Sequence, residues 1–328
     1  MMKNKKLSRR KMIGSSSLAL LGIMCSYNLK ANIVPDFRNK LSDTGDKLPF
    51  RISLNTSTIS AYKLKVEDQI DMVAKAGFNG IELWVSDVVT YLNQGGTCET
   101  LSEKLKAGNL VLENMIGFSS WSSDDLNKRE KGIEQMRQEM LMTAKLGGKY
   151  IAAPIQWMKP LNKSMFEDNV QRYLTILKLS DQTGVIPILE LWGQGALSLL
   201  SEGANIVIAT GHPKATMLLD FYHFYRGGNP WDTLDYINCG KLPVFHMNDY
   251  PANPPREQLK DSDRVFPGDG ICPFNEMIPK LYKAGFRGGF SVELFNKGYW
   301  DTMDVQTILR QTYLKTLHVI KESMTGIG

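Results

Sequence analysis

The sequence has few cysteines and few histidines, and both shortages narrow what the protein can be. It holds four of each in 328 residues. Past the first 31 residues only Cys98, Cys239 and Cys272 are left, an odd number at wide spacing with no Cys-x-x-Cys pair. This argues against a disulfide framework and against a zinc knuckle. We interpret these three as buried or partly buried thiols.

Most of the chain also lacks a surplus of positive charge. The formal net charge is +5, but residues 1–31 hold seven lysines and arginines and no acid, so the remainder carries −2. Because nucleic-acid binding requires a basic surface, the body of the chain gives no support for such a partner. No Gly-x-Gly-x-x-Gly motif follows the first predicted strand, which removes the fingerprint of a dinucleotide-binding sheet.

Residues 1–31 have the pattern of an export signal. A basic start is followed by the mostly small and apolar run Ile13–Met24, which is too short to span a bilayer stably. The segment Ser8–Ile13 contains paired arginines and resembles a twin-arginine signal. We therefore predict a signal peptide over 1–31, a periplasmic location and only transient membrane contact, with an ordinary Sec signal as the alternative. A lipid anchor on Cys25 is disfavoured because the residues before it make a poor lipobox.

After a polar linker over 32–48, short apolar runs alternate with amphipathic stretches of helical period. This alternation is typical of βαβ units and a parallel sheet. Eight strands predict an α/β fold, a single-domain (β/α)8 TIM barrel over 49–328, with an open doubly wound sheet as the alternative. The predicted strands are Phe50–Asn55, Gly80–Trp84, Leu110–Gly117, Tyr150–Ile155, Ile186–Leu191, Thr216–Phe221, Pro243–Met247 and Phe290–Phe295.

Four metal-competent side chains stand at the ends of the last four predicted strands. They are Glu190, Asp220, His246 and Glu293. Side chains at the carboxyl ends of barrel strands converge on one mouth, and a polar group in an apolar run is costly unless it is paired or coordinated. We therefore predict that the four residues bind one divalent metal.

Three carboxylates and one imidazole make a hard, oxygen-rich ligand set. Mn²⁺ suits it best, with Mg²⁺, Co²⁺ and Zn²⁺ as alternatives. Such an ion can polarise the carbonyl of a hydroxy-ketone and stabilise the enediolate that forms when a neighbouring proton is removed. Glu190 and Glu293 are the natural pair to remove and return that proton.

Five motifs occur in a distinctive order and spacing: Leu189–Trp192, Leu219–His223, Phe245–Asp249, Arg264–Gly270 and Ser291–Glu293. Together they resemble the sugar phosphate isomerase/epimerase superfamily, with its xylose-isomerase-like barrel, from about Phe50 to the C-terminus. The resemblance implies that the four predicted ligands hold the metal. It also implies that His223 and Arg264 contact the substrate, a small sugar or keto-sugar.

The reaction type is left open between two classes. The superfamily favours an isomerase or epimerase, but ketose 3-epimerases carry a second glutamate where this chain has Ala196. Relatives that dehydrate, cleave or hydrate 3-keto-sugars make a lyase or hydratase the alternative. Predicted export favours an unphosphorylated substrate, because sugar phosphates are cytosolic metabolites.

Several side chains at or just past strand ends are predicted to shape the substrate pocket. Aromatic rings there can face the carbon side of a sugar, and amides can hydrogen-bond its hydroxyls. These residues are Trp84, Trp157, Trp192, Asn55 and Gln156.

Two other functions are weighed against the enzyme. Endonuclease IV, a DNA-repair relative with the same barrel, needs three zinc ions and more histidines than this chain has. A non-catalytic sugar-binding barrel is opposed by the intact ligand set. Homo-oligomer formation is left open.

Overall fold

Eight parallel strands form a closed barrel in which strands adjacent in sequence are also neighbours in space. The structure is a computed structural model that describes residues 48–156 and 162–326. The predicted signal peptide, Cys25, the linker apart from Leu48, and Trp157 lie outside the described residues. The strands are β1 (Arg51–Asn55), β2 (Gly80–Trp84), β3 (Val111–Ile116), β4 (Tyr150–Pro154), β5 (Ile186–Glu190), β6 (Met217–Asp220), β7 (Val244–His246) and β8 (Gly289–Val292).

Helices alternate with these strands, so the predicted (β/α)8 fold is confirmed. They are α1 (Val66–Lys75), α2 (Val85–Asn93), α3 (Cys98–Ala107), α4 (Leu126–Lys145), α5 (Lys163–Thr183), α6 (Leu200–Ala209), α7 (Phe221–Arg226), α8 (Phe274–Lys283), α9 (Lys297–Thr302) and α10 (Val305–Met324). Within the described ranges, none of them has the length and apolar character needed to cross a membrane.

The last strand is shorter than predicted, because the backbone N–H groups that would continue it donate to side chains and not to a neighbouring strand. It was expected to run to Phe295, but β8 ends at Val292. The next two backbone N–H groups donate to side-chain oxygens, Glu293 to Asn248 at 2.7 Å and Leu294 to Thr58 at 3.0 Å. The chain therefore leaves the sheet at the residue that was predicted to be a ligand.

The barrel interior explains why polar residues at the strand ends share one space. Five successive strands each contribute one side chain to an apolar cluster: Ile116, Ala152, Ile188, Leu218 and Val244. Residues two apart on a strand share a face. Glu190, Asp220 and His246 follow three of these apolar residues by two positions. They therefore lie on the same face, one step nearer the carboxyl end.

The amino end of the barrel holds a partly buried ion pair. Glu113 accepts from Arg51 Nε at 2.6 Å, from Arg51 Nη2 at 2.8 Å and from Ser53 Oγ at 2.9 Å. Glycines at the starts of β2 and β8 give these groups room, since a Cβ on Gly80 or Gly289 would lie under 3.0 Å from the Glu113 and Ser53 side chains. Every oxygen of this carboxylate has a partner, so we assign the pair a structural role.

Candidate active site

The carboxyl end of the barrel brings together three of the four predicted metal ligands. Asp220, His246 and Glu293 each offer one ligand atom, and these atoms lie within 4.8 Å of one another. All three side chains are buried. The register of β6 and β7 places Asp220 directly opposite His246. Sequence-distant residues thus form one compact group at the mouth.

The carboxylates of this group are held by nearby donors. Asp220 Oδ1 caps α7, accepting from the backbone N–H groups of Tyr222 at 2.6 Å and His223 at 3.2 Å. Asn248 donates from Nδ2 to Asp220 Oδ2 at 2.7 Å, and its Oδ1 accepts the backbone N–H of Glu293 at 2.7 Å. Asn248 therefore links the two acids and fixes their separation.

The two nitrogens of His246 face different surroundings. Nε2 lies 3.2 and 2.9 Å from the two carboxylate oxygens of Glu82. Nδ1 lies 3.5 Å from Asp220 Oδ2 and 3.4 Å from Glu293 Oε2, but makes no hydrogen bond. Burial by itself would lower the pKa of His246, but the carboxylates of Glu82 and Glu293 raise that pKa well above its ordinary value.

Arg264 lies against the same acids, only 2% exposed. Its Nη1 donates to Glu293 Oε2 at 2.7 Å and to Asp220 Oδ2 at 3.3 Å. Nη2 pairs with Asp261, and the guanidinium carbon stands 4.4 Å from the centre of the Tyr222 ring. The residue predicted to contact substrate therefore also places positive charge on two of the predicted ligands.

His223 lies beside Arg264 and is uncharged at neutral pH. Burial and the guanidinium of Arg264 lower the pKa of His223 to about 4. Its Nε2 is 3.0 Å from Arg264 Nη2, and Nδ1 is buried with no hydrogen-bond partner. Since a guanidinium only donates, Nε2 is the acceptor and Nδ1 carries the proton. His223 thus offers an unused N–H donor close to the acidic group.

Glu190, the fourth predicted ligand, is not part of the three-residue group. It ends β5, and its side chain is buried but not sealed, with 7% of the residue exposed. Burial and the nearby Glu293 carboxylate raise the pKa of Glu190 to about 8, although His246 opposes the shift. By contrast, His246 and Arg264 outweigh burial and lower the pKa of Glu293. Two glutamates of one site therefore differ in proton affinity.

Predicted pocket residues take two different places. The indole N–H of Trp84 donates to Asn55 Oδ1 at 2.9 Å, and Asn55 Nδ2 donates to Glu293 Oε1 at 3.0 Å. Asn55 is thus an internal support for an acid. Trp84 and Trp192 lie at the mouth with Phe118 between them, at ring-centre distances of 5.4 and 6.4 Å from Phe118. The three rings form an aromatic arc, defined here as Trp84, Phe118 and Trp192.

Gln156, also predicted to bind substrate, lies at the end of β4. Its Nε2 donates to the backbone carbonyl of Ser119 at 3.0 Å. It lines a polar cavity of about 330 Å³ together with serines and aspartates of the β3–α4 loop. Among the described residues, no hydrogen bond joins Gln156 to the Asp220, His246 and Glu293 group, and its contact with substrate stays a prediction.

The long connection after β7 is folded back on a single carboxylate. Asp249 is buried and accepts four backbone N–H groups, from Tyr250, Gly268, Gly270 and Cys272, at 2.8–3.0 Å. Asp249 also forms an antiparallel bridge with Val265. These hydrogen bonds join the start of this connection to its end, and Arg264, which precedes the joined residues, contacts Asp220 and Glu293.

A comparison of the chain with protein-family models gives one match that spans most of the barrel. Residues 70–321 match the family described as xylose isomerase-like TIM barrel. The chain belongs to this family. Among curated proteins, it is 26% identical over 286 residues to an inosose isomerase of Halalkalibacterium halodurans, covering 84% of this chain and 98% of the relative.

The chain is also similar to a dehydratase and to a solved structure. A 3-dehydroshikimate dehydratase of Pseudomonas putida is 19% identical over 244 residues, covering 71% of this chain and 36% of the relative. Among solved structures, the IolI protein with a bound zinc atom superposes with a TM-score of 0.78 at 20% identity, covering 84% of this chain and 100% of that chain. This structural likeness shows the shared fold.

The donor set of this family member fits a divalent ion. His246 Nδ1 is a buried nitrogen without a hydrogen-bond partner, and it faces the carboxylates of Asp220 and Glu293. Two carboxylates and one imidazole are ligands that Mn²⁺, Zn²⁺ and related ions accept. Arg264 Nη1 already places a cation against the same two acids. The group therefore favours positive charge at this position.

Sequence reasoning missed Glu82, Asn248 and Phe118. Glu82 had a visible signal, because Ala-Gly-Phe occurs twice and each copy leads into a strand that ends near a glutamate, Glu82 in one case and Glu293 in the other. Asn248 lies within the motif Phe245–Asp249, but the motif assigned it no role, and Phe118 follows a strand end without any distinguishing pattern. Their roles depend on which neighbours they contact, which only the folded barrel determines.

Proposed function

We propose that this protein is a divalent-metal-dependent isomerase or epimerase of an unphosphorylated sugar or keto-sugar. The observation that carries the proposal is the group of Asp220, His246 and Glu293, with ligand atoms within 4.8 Å at the barrel mouth. The similarity to proteins named inosose isomerases supports an isomerase of a small sugar-like substrate. Mn²⁺ is the preferred ion on ligand chemistry.

A bound ion would supply Lewis acidity that polarises a substrate carbonyl. Glu190 and Glu293 would move the proton, because they retain 7% and 6% exposure while Asp220 and His246 are 1% and 0% exposed. A group that exchanges a proton with substrate must be reachable by it. The free N–H of His223 would donate to a substrate oxygen, and Arg264 would hold another.

The aromatic arc supports a sugar-like ring as the substrate. Trp84 and Trp192 are half-buried and Phe118 is 42% exposed, so apolar ring surface is open at the mouth. A sugar presents a carbon face to such rings and hydroxyls to polar groups.

A lyase or dehydratase acting on a 3-keto-sugar is the second candidate. The similarity to a 3-dehydroshikimate dehydratase favours it, as does Ala196 at the position where 3-epimerases carry glutamate. Both reactions remove a proton beside a ketone. They differ in whether a group then leaves from the neighbouring carbon.

Proton NMR in D₂O distinguishes the two. The metal-loaded protein is incubated with unphosphorylated ketoses, inososes and 3-keto-glucosides, with Glu293→Gln as the inactive control. Deuterium exchange or isomer formation with intact carbon–oxygen bonds supports the isomerase. Release of water or an aglycone with an unsaturated ketone supports the lyase. If no substrate turns over, a sugar-binding barrel replaces both.

We also propose that the protein is exported to the periplasm by the twin-arginine route. The paired Arg9 and Arg10 before an apolar run support this proposal. The double replacement Arg9→Lys and Arg10→Lys should retain the protein in the cytoplasm on cell fractionation. Export of that variant at the wild-type level would contradict the route.

A further inference from the structure

A further carboxylate, Glu82, lies outside the predicted ligand set and contacts the candidate metal group from the far side of the His246 ring. Glu82 is fully buried, and both of its oxygens contact His246 Nε2, at 3.2 and 2.9 Å. Three neutral donors complete its surroundings: Ser291 Oγ at 2.6 Å, Asn114 Nδ2 at 3.0 Å and Asn55 Nδ2 at 3.4 Å. These four partners come from four different strands, β1, β3, β7 and β8.

The sheet register is arranged to build this pocket. Between β2 and β3 the pairing shifts after Ile81, so that Glu82 lies opposite Asn114 and Glu113 is the extra residue. Between β7 and β8, His246 lies opposite Ser291. An irregularity of this kind re-aims side chains next to functional sites. Here it places an amide donor beside the Glu82 carboxylate.

The partners of Glu82 define the state of the imidazole. A buried carboxylate is stable only where donors satisfy its oxygens, and Glu82 has four such donors. Because an ionised carboxylate accepts and does not donate, the proton of a neutral His246 belongs on Nε2. The lone pair is then on Nδ1, the nitrogen that faces Asp220 and Glu293.

We propose that Glu82 is a positioning residue of the metal centre, which holds the proton on His246 Nε2 and fixes the ring so that Nδ1 is the ligand atom. This inference rests on the proposed metal-dependent function. Outer carboxylates that orient a ligating histidine raise its basicity and set its tautomer, and their loss commonly costs about 10–100-fold in metal affinity.

The test compares metal affinity in matched variants by isothermal titration with Zn²⁺. Glu82→Gln keeps the shape but loses the charge, and should weaken binding by about tenfold. Glu82→Leu removes the acceptor and should weaken metal binding by about a hundredfold. That is the upper end of the loss seen when an outer partner of a ligating histidine is removed. Glu113→Gln is the control, because it neutralises a buried carboxylate at the opposite end of the barrel.

A second readout follows the imidazole itself. Zn²⁺ is diamagnetic, and the chain has four histidines, so ¹⁵N-histidine spectra of the loaded protein contain few ring signals. The wild type should show a solvent-protected Nε2 proton for His246, assigned by its absence in His246→Asn. That proton should shift in Glu82→Gln and lose its protection in Glu82→Leu, while Glu113→Gln leaves it in place.

The outcomes separate this proposal from the proposed function. If the wild type bound no divalent metal, the proposed function would be wrong and this inference would fall with it. If the wild type bound metal and Glu82→Gln bound it no more weakly than Glu113→Gln, with an unchanged His246 signal, only the role of Glu82 would be refuted. Should Glu82→Leu fail to fold, Glu82→Gln and Ser291→Ala decide the question, since Ser291 touches Glu82 and is not a predicted ligand.

Discussion

The two ends of the barrel both bury carboxylates beside an arginine, but they balance charge differently. At the amino end, Glu113 is matched by Arg51, and both of its oxygens have donors. At the carboxyl end, four carboxylates lie around His246, and Arg264 contacts two of them, Asp220 and Glu293. The four are Glu82, Glu190, Asp220 and Glu293.

The difference appears in the atoms that stay without partners. Nδ1 of His223 and Nδ1 of His246 are buried at the carboxyl end and make no hydrogen bond. Neither Arg51 nor Glu113 leaves a buried side-chain atom without a partner within the described residues. Buried polar groups are normally satisfied, so unused capacity beside an excess of acids marks a place for a cation and a polar ligand. We therefore interpret the amino end as a structural pair and, under the proposed function, the carboxyl end as the binding site.

The largest effect is expected for Asp220→Asn. Asparagine still caps α7, because it is as good an N-cap as aspartate, but it removes a charged ligand atom. Metal affinity and kcat/KM should both fall by at least about a hundredfold. Loss of a residue that only supports a metal ligand already costs up to about that much, and Asp220 is a predicted ligand itself. Titration with Mn²⁺ and turnover assays check this. A variant that binds metal as tightly as Glu113→Gln would remove Asp220 from the site.

Arg264→Met is expected to destabilise the protein mainly while no metal is bound. Removing one partner of a buried ion pair costs about 3–5 kcal/mol, and this guanidinium contacts both Asp220 and Glu293. Urea unfolding in EDTA should show that loss, and saturating Mn²⁺ should recover most of it by supplying positive charge.

The control for this prediction is Arg287→Met. Arg287 also stacks on a tyrosine, 3.8 Å from the ring centre of Tyr282, but it lies away from the acids. Its replacement should cost under about 1 kcal/mol with or without metal. An equal deficit for Arg264→Met in both conditions would show that its charge is not exchangeable with that of an ion.

Arg51→Met tests the amino end and should behave in the opposite way. It should lower the free energy of unfolding by about 2 kcal/mol, less than a fully buried pair because the Arg51 side chain is 37% exposed. The deficit should not depend on metal, and kcat/KM should stay within about twofold of the wild type once a substrate is known. Metal-dependent recovery would break the distinction between the two ends.

The smallest effect is expected for Phe118→Ala in the aromatic arc. The ring is partly exposed, so folding should change little, while the loss of one stacking surface should raise KM by roughly 3–10-fold with kcat nearly unchanged. Steady-state kinetics measures KM and kcat separately. Tyr236→Ala, which removes an exposed aromatic ring elsewhere on the surface, is the control and should change neither. A fall in kcat alone would contradict a binding role.

The sequence predicts the barrel and the strand-end acids well because both depend on local pattern. Short apolar runs define β5 to β8, and each run ends at or just before a metal-competent polar residue. These residues are Glu190, Asp220, His246 and Glu293. The convergence of three of these residues follows from the closed sheet, which fixes neighbouring strands in register.

What the sequence does not predict depends on register and on loop folding. The pairing shift that places Asn114 opposite Glu82 is not encoded in either strand alone. The contact of Arg264 with two acids depends on Asp249 collecting backbone donors from the return of a long loop. Such contacts join residues far apart in sequence, so composition and periodicity give no signal for them.

The most direct test of the metal centre is anomalous diffraction from crystals soaked in MnCl₂. The account predicts one anomalous peak within coordination distance of Asp220, His246 Nδ1 and Glu293, with Arg264 displaced from between the acids, and the same map shows whether Glu190 is the fourth ligand. Absence of a peak from this group, with Arg264 still bridging Asp220 and Glu293, would contradict it.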